Sequence, residues 1–140
     1  MQFTSKFTIA IHIIAAIEYF KDSEKVTSSF LAGSIGTNAV IVRNVMGDLK
    51  SAGIIDISQG KSGIALARPL DEITMYDVYQ AVDCLGGEGL FHFHEKPNTN
   101  CPVGRNIHKA LDVHLRQVQA AMEAELRKTT LSEIAKELES

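Results

Sequence analysis

Cys101 is followed directly by Pro102, with Arg105 one turn further on. Proline fits the first turn of a helix, where its missing N–H costs nothing, so the thiol stands at a helix N-terminus. The helix dipole favours a thiolate there and lowers its pKa, and Arg105 adds positive potential. An accessible thiol of low pKa is the chemistry of a redox or electrophile sensor. An inert, partly buried small hydrophobe is the commoner use of a lone cysteine. Cys101 is the candidate sensor. As a catalytic nucleophile it lacks company, because His108 lies about two turns along the same helix. No Ser-His-Asp arrangement or phosphate-cradling loop is present either. The expectation is that the chain is not an enzyme.

Two other donor sets can be drawn. His92, His94, Cys101 and His108 could face a mononuclear metal, but the H-x-H and C-x6-H spacings match no tight structural zinc pattern. Phe91 and Phe93 alternate with the first two histidines, which reads as a strand-like edge with aromatics inward and imidazoles outward. An iron–sulfur cluster takes about four protein ligands, whereas Cys84 and Cys101 are two and scattered. The expectation is no metal and no cofactor. His12 and His114 read as surface or interface residues of helices.

A different chemistry is available between Thr37 and Lys50. Arg43 can bond a guanine bidentately and Asn44 can do the same for an adenine. Thr37, Asn38, Val40 and Ile41 open the same segment and complete a face that could meet base edges. Lys6, Lys50, Gln59, Lys61 and Ser62 would hold phosphates or the adjacent minor groove, adding affinity but little specificity. Each lysine alone is equally a solvated charge.

The elements that must position these groups follow from periodicity and punctuation. Residues 7–20 are apolar almost all round, which predicts a buried first helix. Helical patterns at Ser28–Ile35 and Asn38–Ser51 are separated by a break at Gly36-Thr37, with Ala32 small where the two must approach and Val42 and Val45 as the packing positions. Gly53 suits a left-handed C-cap. Ile54–Ser58 and Ile64–Ala67 flank Gln59-Gly60-Lys61-Ser62-Gly63, a β-hairpin pattern. Thr74 and Asp77 form a capping box that opens a helix Met75–Cys84, and Gly86–Asn100 reads as a loop. From Pro102 to about Lys128 runs a long helix with apolar positions Val103, Ile107, Leu111, Leu115, Val118, Met122 and Leu126. At 1.5 Å per residue it spans roughly 40 Å, more than so small a core requires. Thr130 and Glu133 open a last short amphipathic helix. Three helices, a turn and a hairpin in this order describe a winged helix.

Composition permits this reading. The 140 residues make one domain's worth of protein, 45% hydrophobic and 22% charged, small for an enzyme with a deep pocket. The apolar run after Gln2 carries Lys6, His12 and Glu18 and is too short and too polar to span a membrane. Two cysteines are too few for a disulfide framework and suit a reducing compartment, so the expected location is cytoplasmic. The net charge of -3 is unevenly spread: residues 1–68 carry seven Lys/Arg against five acids, residues 69–140 seven against twelve. Charges more than about 8–10 Å away are largely screened in physiological salt, so the acidic half does not forbid DNA binding by the other. The absence of aromatic interleaving argues against a single-strand or RNA platform.

The chain resembles the Rrf2 family of bacterial winged-helix regulators over nearly its whole length. The resemblance rests on Thr4-Ser5-Lys6, on Leu49-Lys50-Ser51-Ala52-Gly53-Ile54-Ile55 at the entry to the wing, and on Leu66-Ala67-Arg68-Pro69, Glu72-Ile73-Thr74 and Asp77-Val78-Tyr79-Gln80-Ala81-Val82 beyond it. Asn98-Thr99-Asn100-Cys101-Pro102-Val103-Gly104 is similar to one subgroup. The wing departs from the family's glycine-rich form, keeping Gly60 and Gly63. The resemblance implies a dimer built on the long helix, with Ile107, Leu111, Leu115, Val118 and Met122 at its seam, binding a roughly palindromic operator, usually as a repressor. It adds Thr4 and Ser5 to the DNA-facing residues.

The expectation is thus a mainly α protein: a winged helix-turn-helix in residues 1–84, a connector and possible sensor loop in 85–101, and a dimerisation helix with a C-terminal helix in 102–140. Its partners are double-stranded DNA, a second copy of the chain and an oxidant or small-molecule signal, without a membrane. Two alternatives remain: a winged helix used only for protein contacts, and a metal-responsive regulator using His92, His94, Cys101 and His108.

Overall fold

The computed structural model describes residues 5–23, 25–57, 63–82, 91 and 93–138. Helix α1 (Lys6–Phe20) is followed by α2 (Ser28–Ile35) and α3 (Ala39–Ser51), then strands β1 (Ile55–Ile57) and β2 (Ile64–Leu66), a short 3-10 turn at Leu70–Glu72, and helices α4 (Met75–Val82), α5 (Pro102–Leu126) and α6 (Leu131–Leu138). β1 and β2 pair antiparallel, with Asp56 opposite Ala65, as the predicted hairpin requires. The winged-helix architecture and its mainly helical content stand as the sequence predicted.

Each turn has a local cause. Thr27 caps α2 by accepting from the Phe30 N–H at 3.1 Å, and Gly36 ends it with φ 85°. Both Gly36 and Thr37 donate back to the Ala32 carbonyl, and a residue with a Cβ would resist that left-handed turn. Gly53, at φ 77°, ends α3 by donating to Lys50 while Ile54 donates to Leu49, the paired bonds of a Schellman motif. The Thr74–Asp77 box closes in both directions, at 3.0 and 3.1 Å. The box at Thr130 closes in one, with the Glu133 N–H reaching Thr130 Oγ1 at 3.4 Å.

The core gathers Ile13, Ile14 and Ile17 from α1, Leu31 from α2, Val42, Val45 and Leu49 from α3, and Val78 from α4, all at 2% exposure or less. Packing α3 on four buried side chains fixes which way its other face points. The C-terminal segment is stitched to the same core: Leu131 is buried, its N–H donates to the Ile73 carbonyl at 2.8 Å, and Met75 donates to Thr129. Among the described residues no helix is long and apolar enough to cross a membrane.

One expectation about faces needs revision, that of a first helix buried all round. The first helix is buried along most of its length, but His12 and Tyr19 are exposed, so one face lacks a cover. α5 has no buried residue at all. Met122 and Leu126, near its C-terminal end, pack on the chain's own core, while Val103, Leu111, Val113 and Val118 stand in solvent.

Candidate nucleic-acid interface

The outward face of α3 is the candidate reading surface. Val42, Val45, Met46 and Leu49 point inward, and the 3.6-residue period then sends Val40, Arg43, Asn44, Gly47, Lys50 and Ser51 outward together. All six are exposed. Among the described residues Arg43 makes no hydrogen bond or ion pair, so its guanidinium fork is available to an external acceptor. Val40 and Ile41 are 57% and 38% exposed on the first turn, where apolar side chains suit thymine methyl groups.

Asn38 sits differently from the expected reading residue. It is the N-cap of α3, with Oδ1 accepting from the Ile41 N–H at 3.0 Å. Thr37 is half-buried in the turn before it. Ser5 caps α1 without a side-chain bond, and Lys6 and Lys50 are exposed. Thr4, Gln59, Lys61 and Ser62 lie outside the described residues, as do Cys84 and His92.

The residue pattern alone passed over a groove of about 460 Å³ beside α3, where Lys25, Thr27, Ser28, Arg43, Met46 and Gly47 come together. The signal for it was the Thr27-Ser28-Ser29 run, which opens a helix next to a lysine and turns its N–H groups outward. Gly47 is the unexpected member. A Cβ added there would meet nothing within 4 Å, so this chain does not require glycine at that position. A mid-helix glycine costs about 0.5–1 kcal/mol relative to alanine. We expect Gly47→Ala to raise stability by about that amount in thermal melts while weakening DNA binding in a titration. Unchanged affinity would mean that no duplex approaches Gly47 closely.

Cys101 is exposed and forms the N-cap of α5, with an extended backbone. The backbone N–H groups of Gly104 and then Val103 hold its thiol below the ordinary cysteine pKa. These first-turn groups are the helix N-terminus from which the lowering was expected, whereas Arg105, expected to add to it, is not among the causes. The residues before it form a strap folded against α5. Cys101 N–H donates to the Asn98 carbonyl at 3.2 Å, and Asn98 Oδ1 accepts from Asn100. His108 Nε2 carries a hydrogen and donates to the His94 carbonyl at 2.9 Å, while Phe93 stacks on the same ring at 4.6 Å. This replaces the strand-like edge expected for residues 91–94. Phe91 is exposed and Phe93 stacks on His108, and among the described residues no strand lies beside them to impose alternation. Among the described residues no three of His, Cys, Asp and Glu converge as a metal site.

At its other end α5 is fastened to α4. Tyr79 donates to Glu123 Oε2 at 3.1 Å, and the Arg127 guanidinium lies 3.8 Å from the centre of the Tyr76 ring.

A helix α3 held outward by a buried face, a hairpin after it and a long helix exposed over most of its length make up a winged helix-turn-helix, a fold that suits DNA binding. The model of the Rrf2 family, described as an iron-dependent transcriptional regulator, matches residues 3–137, and this chain belongs to that family. It is 39% identical over 134 residues to YwnA of Bacillus subtilis, assigned as an HTH-type transcriptional regulator, covering 96% of this chain and 97% of the relative. Among solved structures it is similar to one described as a DNA-binding protein, at 34% identity and TM-score 0.72, covering 93% of this chain and 98% of that one. It also shares its fold with CymR, the global cysteine regulator of B. subtilis, at 16% identity and TM-score 0.69, with 97% of each chain covered.

Proposed function

We propose that the chain is a homodimeric repressor that binds a roughly palindromic operator through α3 and loosens its hold when Cys101 is oxidised or otherwise modified. The observation that carries this reading is the exposed face of α3, where Arg43 and Asn44 stand side by side in solvent. Arg43 pairs with a guanine and Asn44 with an adenine, while Lys6, Lys50 and the groove at Lys25–Ser28 supply phosphate contacts. The uncovered stripe of α5 supports the dimer, because a two-fold axis in the protein matches a palindrome in the DNA.

An iron–sulfur cluster does not fit. The whole chain has two cysteines, against about four ligands for a cluster, and no step is assigned to one. The thiol is the better signal receiver. Its lowered pKa predicts that Cys101 alkylation reaches half its maximal rate below the free-thiol value of about 8.5. Rising pH then increases the reactive thiolate earlier than in an unfolded peptide. Mass spectrometry of the Cys101 peptide across pH 6–10 checks this, and coincident folded and unfolded curves would remove the sensor role.

The test of function is a fluorescence anisotropy titration of the purified protein against a duplex from upstream of its own gene, first with reductant and then with a mild oxidant. Tight binding that falls steeply with salt and resists competitor DNA is expected, weakening on oxidation. Oxidant-independent binding would leave the repressor and remove the Cys101 switch. No specific binding in either state would favour a winged helix devoted to protein contacts.

A further inference from the structure

Four buried side chains fix how α3 is turned. Val42, Val45, Met46 and Leu49 face the core. At about 100° per residue, the direction opposite their mean falls close to Val40, with Asn44 and Gly47 in line behind it. Val40 is 57% exposed, and Ile41, on the flank of the same turn, is 38% exposed. The first turn of the outward face thus presents branched hydrocarbon rather than a polar group.

Beside this hydrocarbon stands an amide with half of its bonding capacity spent. Asn38 caps α3 with Oδ1, which accepts from the Ile41 N–H at 3.0 Å. That bond orients the amide and turns Nδ2 away from the helix end. Asn38 is exposed, and Nδ2 has no acceptor among the described residues. An asparagine that pairs with adenine donates one hydrogen bond and accepts another. With Oδ1 held against the helix, Asn38 offers a base only its donor.

A donor next to an apolar side chain matches one base edge. In the major groove thymine presents an acceptor, O4, beside its C5-methyl group. Adenine and cytosine carry an amino donor there, and guanine has two acceptors and no methyl. Val40 against any of these three would cover a polar atom without bonding it, a cost that a methyl group does not incur. We infer that Val40 and Asn38 together select a thymine in each half-site, Val40 through the C5-methyl and Asn38 Nδ2 through O4. Val40 and Asn44 are four residues apart, about 6 Å along the helix axis. The thymine therefore lies within about two base pairs of the adenine paired with Asn44. This selection rests on α3 being the DNA-reading helix, as proposed above, and adds a base that neither Arg43 nor Asn44 reads.

The probe is a duplex that the full chain selects from a random pool, with its thymines then replaced one at a time by deoxyuridine. Uracil keeps the pairing and O4 and lacks only the methyl group. One thymine of each half-site is expected to respond, with affinity falling about fourfold per half-site, the value of one buried methyl. Val40→Ala leaves the core intact, because Val40 is exposed. It is expected to lose a similar factor on the thymine duplex and nothing further on the uracil duplex. 5-Methylcytosine paired with guanine at the same position keeps the methyl and exchanges O4 for an amino donor, so the parent chain should prefer thymine. Asn38→Asp keeps the cap and replaces the free donor by an acceptor, so it should reverse that preference. Equal binding of thymine and uracil duplexes at every position, or a uracil effect undiminished in Val40→Ala, would overturn the role of Val40. A preference that Asn38→Asp does not reverse would overturn that of Asn38. A pool that yields no consensus would instead refute α3 as a reading helix.

Discussion

Arg43→Ala is expected to weaken binding to the specific operator by about 10- to 100-fold, with the melting temperature unchanged. A bidentate arginine–guanine contact is worth about 1–3 kcal/mol of discrimination, and the substitution removes nothing from the fold, because Arg43 is exposed and has no partner among the described residues. The size of the loss should depend on sequence. Binding to a scrambled duplex should fall much less, and the specificity ratio at one base pair of each half-site should collapse. A purely electrostatic role would give a different pattern, in which specific and scrambled duplexes weaken equally and the salt slope drops by about one. Anisotropy titrations on both duplexes at two salt concentrations separate the cases. No change on either duplex would remove α3 as the reading helix.

Gly104→Ala is expected to release the strap. A Cβ at position 104 would lie 2.2 Å from the Asn98 carbonyl oxygen and about 3 Å from two further Asn98 backbone atoms. No rotamer relieves a clash with backbone, so the loop must lift off the first turn of α5. Overpacking of this kind costs about 1–3 kcal/mol, more than the gain of about 1 kcal/mol from replacing glycine in a helix. The loss should be local. Hydrogen exchange at the Cys101 amide, which donates to Asn98, should accelerate about tenfold or more, while amides in α1 and α3 stay protected. Unaltered exchange at Cys101 would show that the strap accommodates the methyl group. Gly47→Ala is the internal contrast, the same change in a helix interior with open space around the new methyl.

The Asn98–Gly104 segment also marks the limit of what the residue pattern could tell. Its similarity to a subgroup of the family was visible, and so was Pro102 as a helix start. The reason for the glycine was not, because it lies in an approach between two backbones that no periodicity encodes. The winged helix itself was legible, since each of its parts is set by local rules: Gly36 and Gly53 end helices, Thr74 and Asp77 cap one, and the spacing of Val42, Val45 and Leu49 turns α3 inward on one side. The reading surface was half legible. Arg43 and Asn44 are where the helical period puts them, whereas the capping role of Asn38 depends on where the helix begins, the least certain boundary in any sequence. Contacts across long separations, such as Tyr79 with Glu123 or His108 with the His94 carbonyl, were beyond reach. They depend on how helices meet rather than on what any one segment prefers.

The fastening of α5 at one end has a mechanical consequence. The helix is 25 residues long, about 37 Å, and its fixed end lies beside α4, which itself packs on α3. Such a rod is a lever whose pivot is next to the reading helix and whose free end bears the strap. A tilt of about 5° at the pivot moves the tip by about 3 Å, the length of a hydrogen bond. The converse holds as well: a push of a few ångströms at the tip reaches the pivot as a rotation of a few degrees beside α4, the helix on which α3 packs.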